Sequence, residues 1–193
     1  AAVLASATPI ALSKTDSKTY VLTTSYSVPS NGSEILTVTP ISSAVFDSKG
    51  TQINLSAAQS NTVQLNDQAG PSITGATLDS QNRYVDFTFS EGVYATASPT
   101  SAVTSSSFTL SQSSGPSYGM TISSITTAGG GVLSGGETTL RFNLESAVKP
   151  TGQEVFAITA TDSSSVVDVS GNSMTASQTN NTFQLKPPTS GGV

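Results

Sequence analysis

The sequence predicts an all-β protein: one β-sandwich module preceded by an incomplete copy of itself. Three observations carry this expectation. Apolar and polar residues alternate at period two in many short runs, which gives each strand one buried and one wet face. Clusters of turn-forming residues separate these runs about every 8–12 residues, with no helical periodicity between them. The last third of the chain also repeats the first third, and a fixed internal period marks a modular array.

The runs follow one another along the chain. Leu36 and Val38 alternate with Thr37 and Thr39, and Val63 with Leu65 makes a second short row. The stretch Asn66-Asp67-Gln68-Ala69-Gly70-Pro71 is polar and ends in Gly-Pro, so it reads as a linker. Val85, Phe87 and Phe89 then alternate with Tyr84, Asp86 and Thr88. Phe108 with Leu110, and Met120 with Ile122, form shorter rows. Leu140, Phe142 and Leu144 alternate with Thr139, Arg141 and Asn143; Phe156, Ile158 and Ala160 follow, then Phe183 and Leu185. Asp79-Ser80-Gln81-Asn82, Ser113-Ser114-Gly115-Pro116, Gly129-Gly130-Gly131 and Pro150-Thr151-Gly152 supply the turn chemistry between them. A short helical turn is expected only within Ala97–Ser107. Val85, Phe87, Phe89, Phe142, Phe156 and Ile158 are the expected common core.

The repeat sets the domain organisation. Glu34-Ile35-Leu36-Thr37-Val38-Thr39 aligns with Glu154-Val155-Phe156-Ala157-Ile158-Thr159, and Asn61-Thr62-Val63-Gln64-Leu65 aligns with Asn181-Thr182-Phe183-Gln184-Leu185. Between them, Val45-Phe46-Asp47-Ser48-Lys49-Gly50 matches Val166-Val167-Asp168-Val169-Ser170-Gly171, one residue out of step. Residues 1–67 therefore read as the back half of a module, and residues 68–193 as a whole one. The chain reads as a slice of a tandem protein, or as a subunit whose first module is completed by another chain.

Composition narrows the function classes. Only 10% of the 193 residues are charged and the net charge is −5, so little could neutralise nucleic-acid phosphates. The seven Lys and Arg are scattered singly, which also argues against a polybasic membrane patch. About a third of the residues are Ser or Thr, suited to solvated strand faces and turns. With 35% apolar residues in alternating runs, folding is expected rather than disorder. There is no Cys, so burial and backbone pairing hold the fold without disulfides. No stretch approaches the roughly 18 apolar residues of a membrane span. The opening Ala1-Ala2-Val3-Leu4-Ala5-Ser6-Ala7 lacks the basic start of a signal peptide.

Gly70-Pro71-Ser72-Ile73 and Tyr84-Val85-Asp86-Phe87-Thr88-Phe89-Ser90-Glu91-Gly92-Val93-Tyr94 resemble the start of a bacterial Ig-like surface repeat. Ser106-Ser107-Phe108-Thr109-Leu110, Pro150-Thr151-Gly152-Gln153-Glu154, Val167-Asp168-Val169-Ser170-Gly171-Asn172 and Ser177-Gln178-Thr179-Asn180-Asn181-Thr182 continue the pattern in order. The resemblance spans residues 70–186, with 28–66 as the partial copy, which departs from it at Ser48-Lys49-Gly50-Thr51. Such repeats occur in long adhesins of gliding Bacteroidetes, in cyanobacterial surface-motility proteins and in S-layer-like proteins. The resemblance implies tandem Ig-like sandwiches and an extracellular, cell-surface, structural or adhesive role.

The inventory for catalysis is poor. Without His or Cys there is no imidazole base, thiolate or ordinary zinc or copper site. A serine nucleophile would have no His as its partner base, and no phosphate-binding loop is present. Asp86 and Glu91 are a carboxylate pair that glycoside hydrolysis could use, but a wet strand face and a strand end account for them. Calcium is the one cofactor these residue types could suit: Asp47 and Asp168, with carbonyls of their loops, could supply oxygen ligands. Neither loop carries the several acidic residues of an EF-hand-like site, and an Asx turn explains each Asp without a metal. Glu34 and Glu154 are expected to do matching structural work at strand starts.

Asn31-Gly32-Ser33, Asn54-Leu55-Ser56 and Asn180-Asn181-Thr182 are sequons, so Asn31, Asn54 and Asn180 are candidate glycosylation sites; a chain this rich in Ser, Thr and Asn makes such triplets by chance. Tyr20, Tyr26, Tyr84, Tyr94 and Tyr118 are the residues available for stacking on sugars, the basis of the alternative reading as a carbohydrate-binding module with surface glycans as partners. The first reading is instead self-association or packing against neighbouring repeats. Its expected assembly face is the apolar set of the partial copy: Leu22, Leu36, Val38, Phe46, Val63 and Leu65.

Overall fold

The computed structural model describes residues 2–41, 43–54, 61–98 and 100–188. The chain is nearly all β, and it divides into two compact units, Ala1–Ala69 and Gly70–Val193. The division falls two residues after the boundary expected from the linker composition.

The first unit contains β1 (Val3–Leu4), β2 (Ala11–Lys14), β3 (Tyr20–Thr23), β4 (Tyr26–Val28), β5 (Ile35–Thr37) and β6 (Thr62–Gln64). They form three two-stranded antiparallel pairs: β1 with β4, β2 with β3, and β5 with β6. The second contains β7 (Ile73–Leu78), β8 (Tyr84–Val93), β9 (Phe108–Ser114), β10 (Met120–Thr127), β11 (Glu137–Ser146), β12 (Val155–Ala160) and β13 (Thr182–Gln184). Among the described residues one 3₁₀ turn, Ser105–Ser107, leads into β9, within the stretch where the sequence predicts a helical turn.

The second unit has two sheets, one ordered β10-β11-β8-β7 and the other β13-β12-β9, every pair antiparallel. Alternation along β8 and β11 sends Val85, Phe87, Phe89, Leu140 and Phe142 inward, where each is at most 3% exposed. Phe108, Phe156, Ile158 and Phe183 come from the three-stranded sheet and join the same cluster. All six residues expected in the core lie in it. Aromatic edges lock the two layers together: Phe142 meets Phe108 at 4.9 Å between ring centroids, and Phe87 meets Phe183 at 6.1 Å, both T-shaped. Each buried large apolar side chain contributes about 1.5–3 kcal/mol. Edge-to-face pairs add about 0.5–1.5 kcal/mol beyond that. The result is a sandwich-like unit held by burial, without covalent staples.

The opposite face of the four-stranded sheet is polar. Arg141 on β11 lies across from Asp86 on β8, and donates to both its carboxylate oxygens at 2.8 Å. The same guanidinium sits 3.7 Å from the centre of the Tyr84 ring. Cross-strand charge pairing and cation–π contact thus finish a face that water reaches.

The first unit reproduces backbone pairings of the second, residue for residue. Ile35↔Gln64, Leu36↔Val63 and Thr37↔Thr62 in β5–β6 stand where Val155↔Gln184, Phe156↔Phe183 and Ala157↔Thr182 stand in β12–β13. Leu65 N–H donates to the Glu34 carbonyl and Leu185 N–H to that of Glu154, both at 2.9 Å. The Gln64 and Gln184 amides donate to the carbonyls of Gly32 and Gly152, both at 2.6 Å. Similarly, β2–β3 pairs Leu12↔Leu22, Ser13↔Val21 and Lys14↔Tyr20, as β10–β11 pairs Ile125↔Phe142, Thr126↔Arg141 and Thr127↔Leu140. The loop Thr15–Thr19 is shorter than the loop Ala128–Gly136, which shifts β2 out of the constant offset.

Candidate functional site

What distinguishes the two units is burial at equivalent positions. Phe183 is 6% exposed and its counterpart Val63 is 55%; Ile158 is 0% exposed and Val38 is 37%. Val166 and Val167 are buried, whereas Val45 and Phe46 are exposed. Leu140 and Phe142 are fully buried, but Tyr20 and Leu22 lie open. Leu36 and Leu65 are half-buried, where Phe156 and Leu185 are closed off. All six residues of the expected assembly face are therefore placed, four exposed and two half-buried.

The cause is the strands that cover those positions. In the second unit β8 pairs with β11 through Leu140↔Phe87 and Phe142↔Val85, and β9 pairs with β12 through Ile158↔Leu110 and Ala157↔Ser111. Among the described residues, β3 has only β2 beside it and β5 only β6. A groove of about 330 Å³ in the first unit is lined by Val3, Leu4, Tyr26, Glu34, Ile35, Leu36 and Leu65. An apolar patch beside unpaired strand edges is a ready surface for pairing with more chain.

A recurring turn aims these strands. In Thr151-Gly152-Gln153-Glu154 the carboxylate accepts from the backbone N–H of Thr151 and Gly152, each at 3.0 Å, and from the Thr151 hydroxyl at 2.7 Å. Gly152 holds φ +88°, the left-handed region that favours glycine. Burial pushes the Glu154 carboxyl up, but the donors from Thr151, Gly152 and its own N–H outweigh it and hold the group below its ordinary value. Ser134-Gly135-Gly136-Glu137 repeats the pattern ahead of β11, with Ser134 and Gly135 N–H on Glu137 at 2.6 and 3.0 Å. Glu34 accepts from Asn31 N–H at 3.0 Å and from the Ala2 N–H. Sequence reasoning paired Glu34 with Glu154 but missed Glu137; a Ser/Thr-Gly-x-Glu spacing was the available signal.

Asp168 and Asp47 close their own turns. Buried Asp168 accepts from the Asn172 N–H and side-chain amide, both at 2.8 Å, while exposed Asp47 accepts from Lys49 and Thr51 N–H, both at 2.8 Å. The N–H groups of Thr51 and Lys49 hold the Asp47 carboxyl below its ordinary value. Gly171 N–H and Gly50 N–H return to the carbonyls of the two Asp residues, at 3.2 and 3.1 Å. Both carboxylates thus hold Asx-type turns, and an Asp168 carboxylate oxygen also lies within 4.8 Å of one of Glu91.

The other candidates are scattered. Tyr118 is buried with its hydroxyl donating to the Val148 carbonyl, Tyr84 lies under Arg141, and Tyr94 sits against Gly135 and Gly136. The tyrosines of the second unit thus have separate structural neighbours and build no shared platform. Asp86 is committed to Arg141. Asn31 and Asn180 are exposed; Asn54 is also exposed, but Leu55 and Ser56 of its sequon lie outside the described residues. Among the described residues no helix is long and apolar enough to cross a membrane. Compared with protein-family models, with curated proteins and with solved structures, the chain matches none.

Proposed function

We propose that this chain is a non-enzymatic structural or adhesive repeat protein of the cell surface, acting extracellularly through tandem Ig-like modules. The observation that carries the reading is the recurrence of one set of pairing registers in both units. The strand order supports it: if β7 to β13 are taken as strands A to G, the sheets read D-E-B-A and G-F-C, the seven-stranded immunoglobulin arrangement. On that reading the first unit supplies D, E, F and G. Its mechanism is mechanical, with stiff sandwiches in series holding a filament, layer or stalk together through contacts with neighbouring repeats.

Negative-stain microscopy of the full chain over a concentration series, run beside a glycan array, tests the proposal. Filaments or sheets without saturable glycan binding are the expected result. Saturable binding to one glycan class by a chain that stays monomeric would replace it with the carbohydrate-binding reading.

A further inference from the structure

We propose that Asn31 is a site of self-modification: the backbone nitrogen of Gly32 closes onto its side-chain amide, ammonia leaves, and water reopens the ring to aspartate or isoaspartate. The site is the turn ahead of β5, and the change belongs to the first unit alone.

Residue types set the reaction. Asn31-Gly32 is the one Asn-Gly step in the sequence. Glycine has no Cβ to crowd its own nitrogen, and attack within the chain needs no encounter between separate molecules. The Gly32 nitrogen gives its proton to water as it bonds to Cγ of Asn31. The Cγ–Nδ2 bond then breaks, and ammonia leaves with a proton returned from water. Water next adds to either carbonyl of the succinimide. Attack at Cγ leaves aspartate, and attack at the main-chain carbonyl leaves isoaspartate, with the chain running through the side chain.

The turn supplies what these steps need. Asn31 is exposed, so water reaches the amide and ammonia escapes. Its Oδ1 accepts from the Ser33 hydroxyl at 2.5 Å and from the Ser33 N–H at 3.2 Å. Negative charge grows on that oxygen as the ring closes. Two donors already in place therefore stabilise the tetrahedral intermediate.

The second unit has the same turn without the reactive group. Thr151-Gly152-Gln153-Glu154 stands where Asn31-Gly32-Ser33-Glu34 stands, with Gly152 at φ +88° and Gly32 at +78°. Thr151 has no amide to attack. In the first unit the Asn31 N–H donates to Glu34 at 3.0 Å, and Asn31 forms an antiparallel bridge with Asp67. Isoaspartate puts an additional methylene into the main chain at that bridge, so β5 and β6 lose their fixed start. Either product adds a negative charge beside the Glu34 carboxylate.

The test ages the full chain at neutral and mildly alkaline pH beside a free peptide of residues 27–37, with peptide mapping by mass spectrometry and an isoaspartate assay. Asn31 should convert before every other asparagine, faster than in the peptide, and faster as pH rises. Ser33→Ala should slow conversion in the folded chain by about tenfold and leave the peptide rate nearly unchanged, because only the turn fixes the donors. The aged chain should exchange backbone hydrogens faster at β5 and β6, with β12 and β13 unchanged. Conversion no faster in the folded chain than in the peptide would overturn the proposal, as would a Ser33→Ala chain that ages at the parent rate. Should Ser33→Ala disturb the turn, seen as faster exchange at β5 before ageing, T151N/Q153S grafts the site onto the second unit. Ammonia release and isoaspartate at that turn are then expected, and their absence with β12 still protected would equally overturn it.

Discussion

Phe142→Ala is the most direct probe of the second unit's core. Its ring is fully buried, and stands edge-on to Phe87 at 5.4 Å and to Phe108 at 4.9 Å. Truncation removes the ring from a site walled by both sheets, so rigid strand pairing on either side limits collapse of the cavity. A Phe→Ala change of this kind costs about 3–5 kcal/mol. Loss of two edge-to-face contacts puts Phe142 toward the upper end of that range. Against a domain stability of about 5–15 kcal/mol the effect is large. Guanidinium denaturation followed by tyrosine fluorescence and far-ultraviolet circular dichroism reads it as a midpoint fall of roughly 1 M. The slope should stay constant, since the exposed area of unfolding hardly changes. A loss below about 1 kcal/mol, the range of surface substitutions, would show that β11 does not face the three-stranded sheet as described.

Four further outcomes follow from the same geometry. Ile158→Ala should cost about 2–5 kcal/mol, whereas Val38→Ala at the equivalent open position should stay within about 0.5 kcal/mol, measured by equilibrium denaturation. Gly152→Ala should destabilise by about 1–3 kcal/mol, because φ is +88° and the new Cβ would lie 2.8 Å from Pro187 Cδ; an unchanged melting temperature would refute the turn geometry. Asp168→Ala should cost about 1–3 kcal/mol by orphaning donors of Asn172 in a buried turn, and Asp47→Ala at its exposed turn should cost less. Stability should also fall in acid: Asp79, held down first by Arg83, and Glu154, held down by its turn donors, have lowered folded-state values. Depressed carboxylates contribute fully above their unfolded values of about 4 and lose that contribution as pH falls further, so melting scans should be flat near neutrality and decline below about pH 4.

Sequence alone was enough for the all-β class, the spacing of strands and the inward residues of the second unit. Val85, Phe87 and Phe89 alternate so regularly that one register buries all three and any one-residue slip exposes them. The repeat was equally legible where loop lengths match, as between Glu34–Leu65 and Glu154–Leu185. It faded over β2, because the shorter Thr15–Thr19 loop breaks the constant offset there while leaving the cross-strand pairs with β3 in place. Only the tertiary structure decided which apolar rows are covered. Phe183 and Val63 read alike along the chain, as apolar residues flanked by Thr and Gln, yet they are 6% and 55% exposed. Periodicity states which face a strand turns toward a core, but burial depends on strands distant in sequence that must come to lie over it. Those strands are present for the second unit, and among the described residues they are missing from the first.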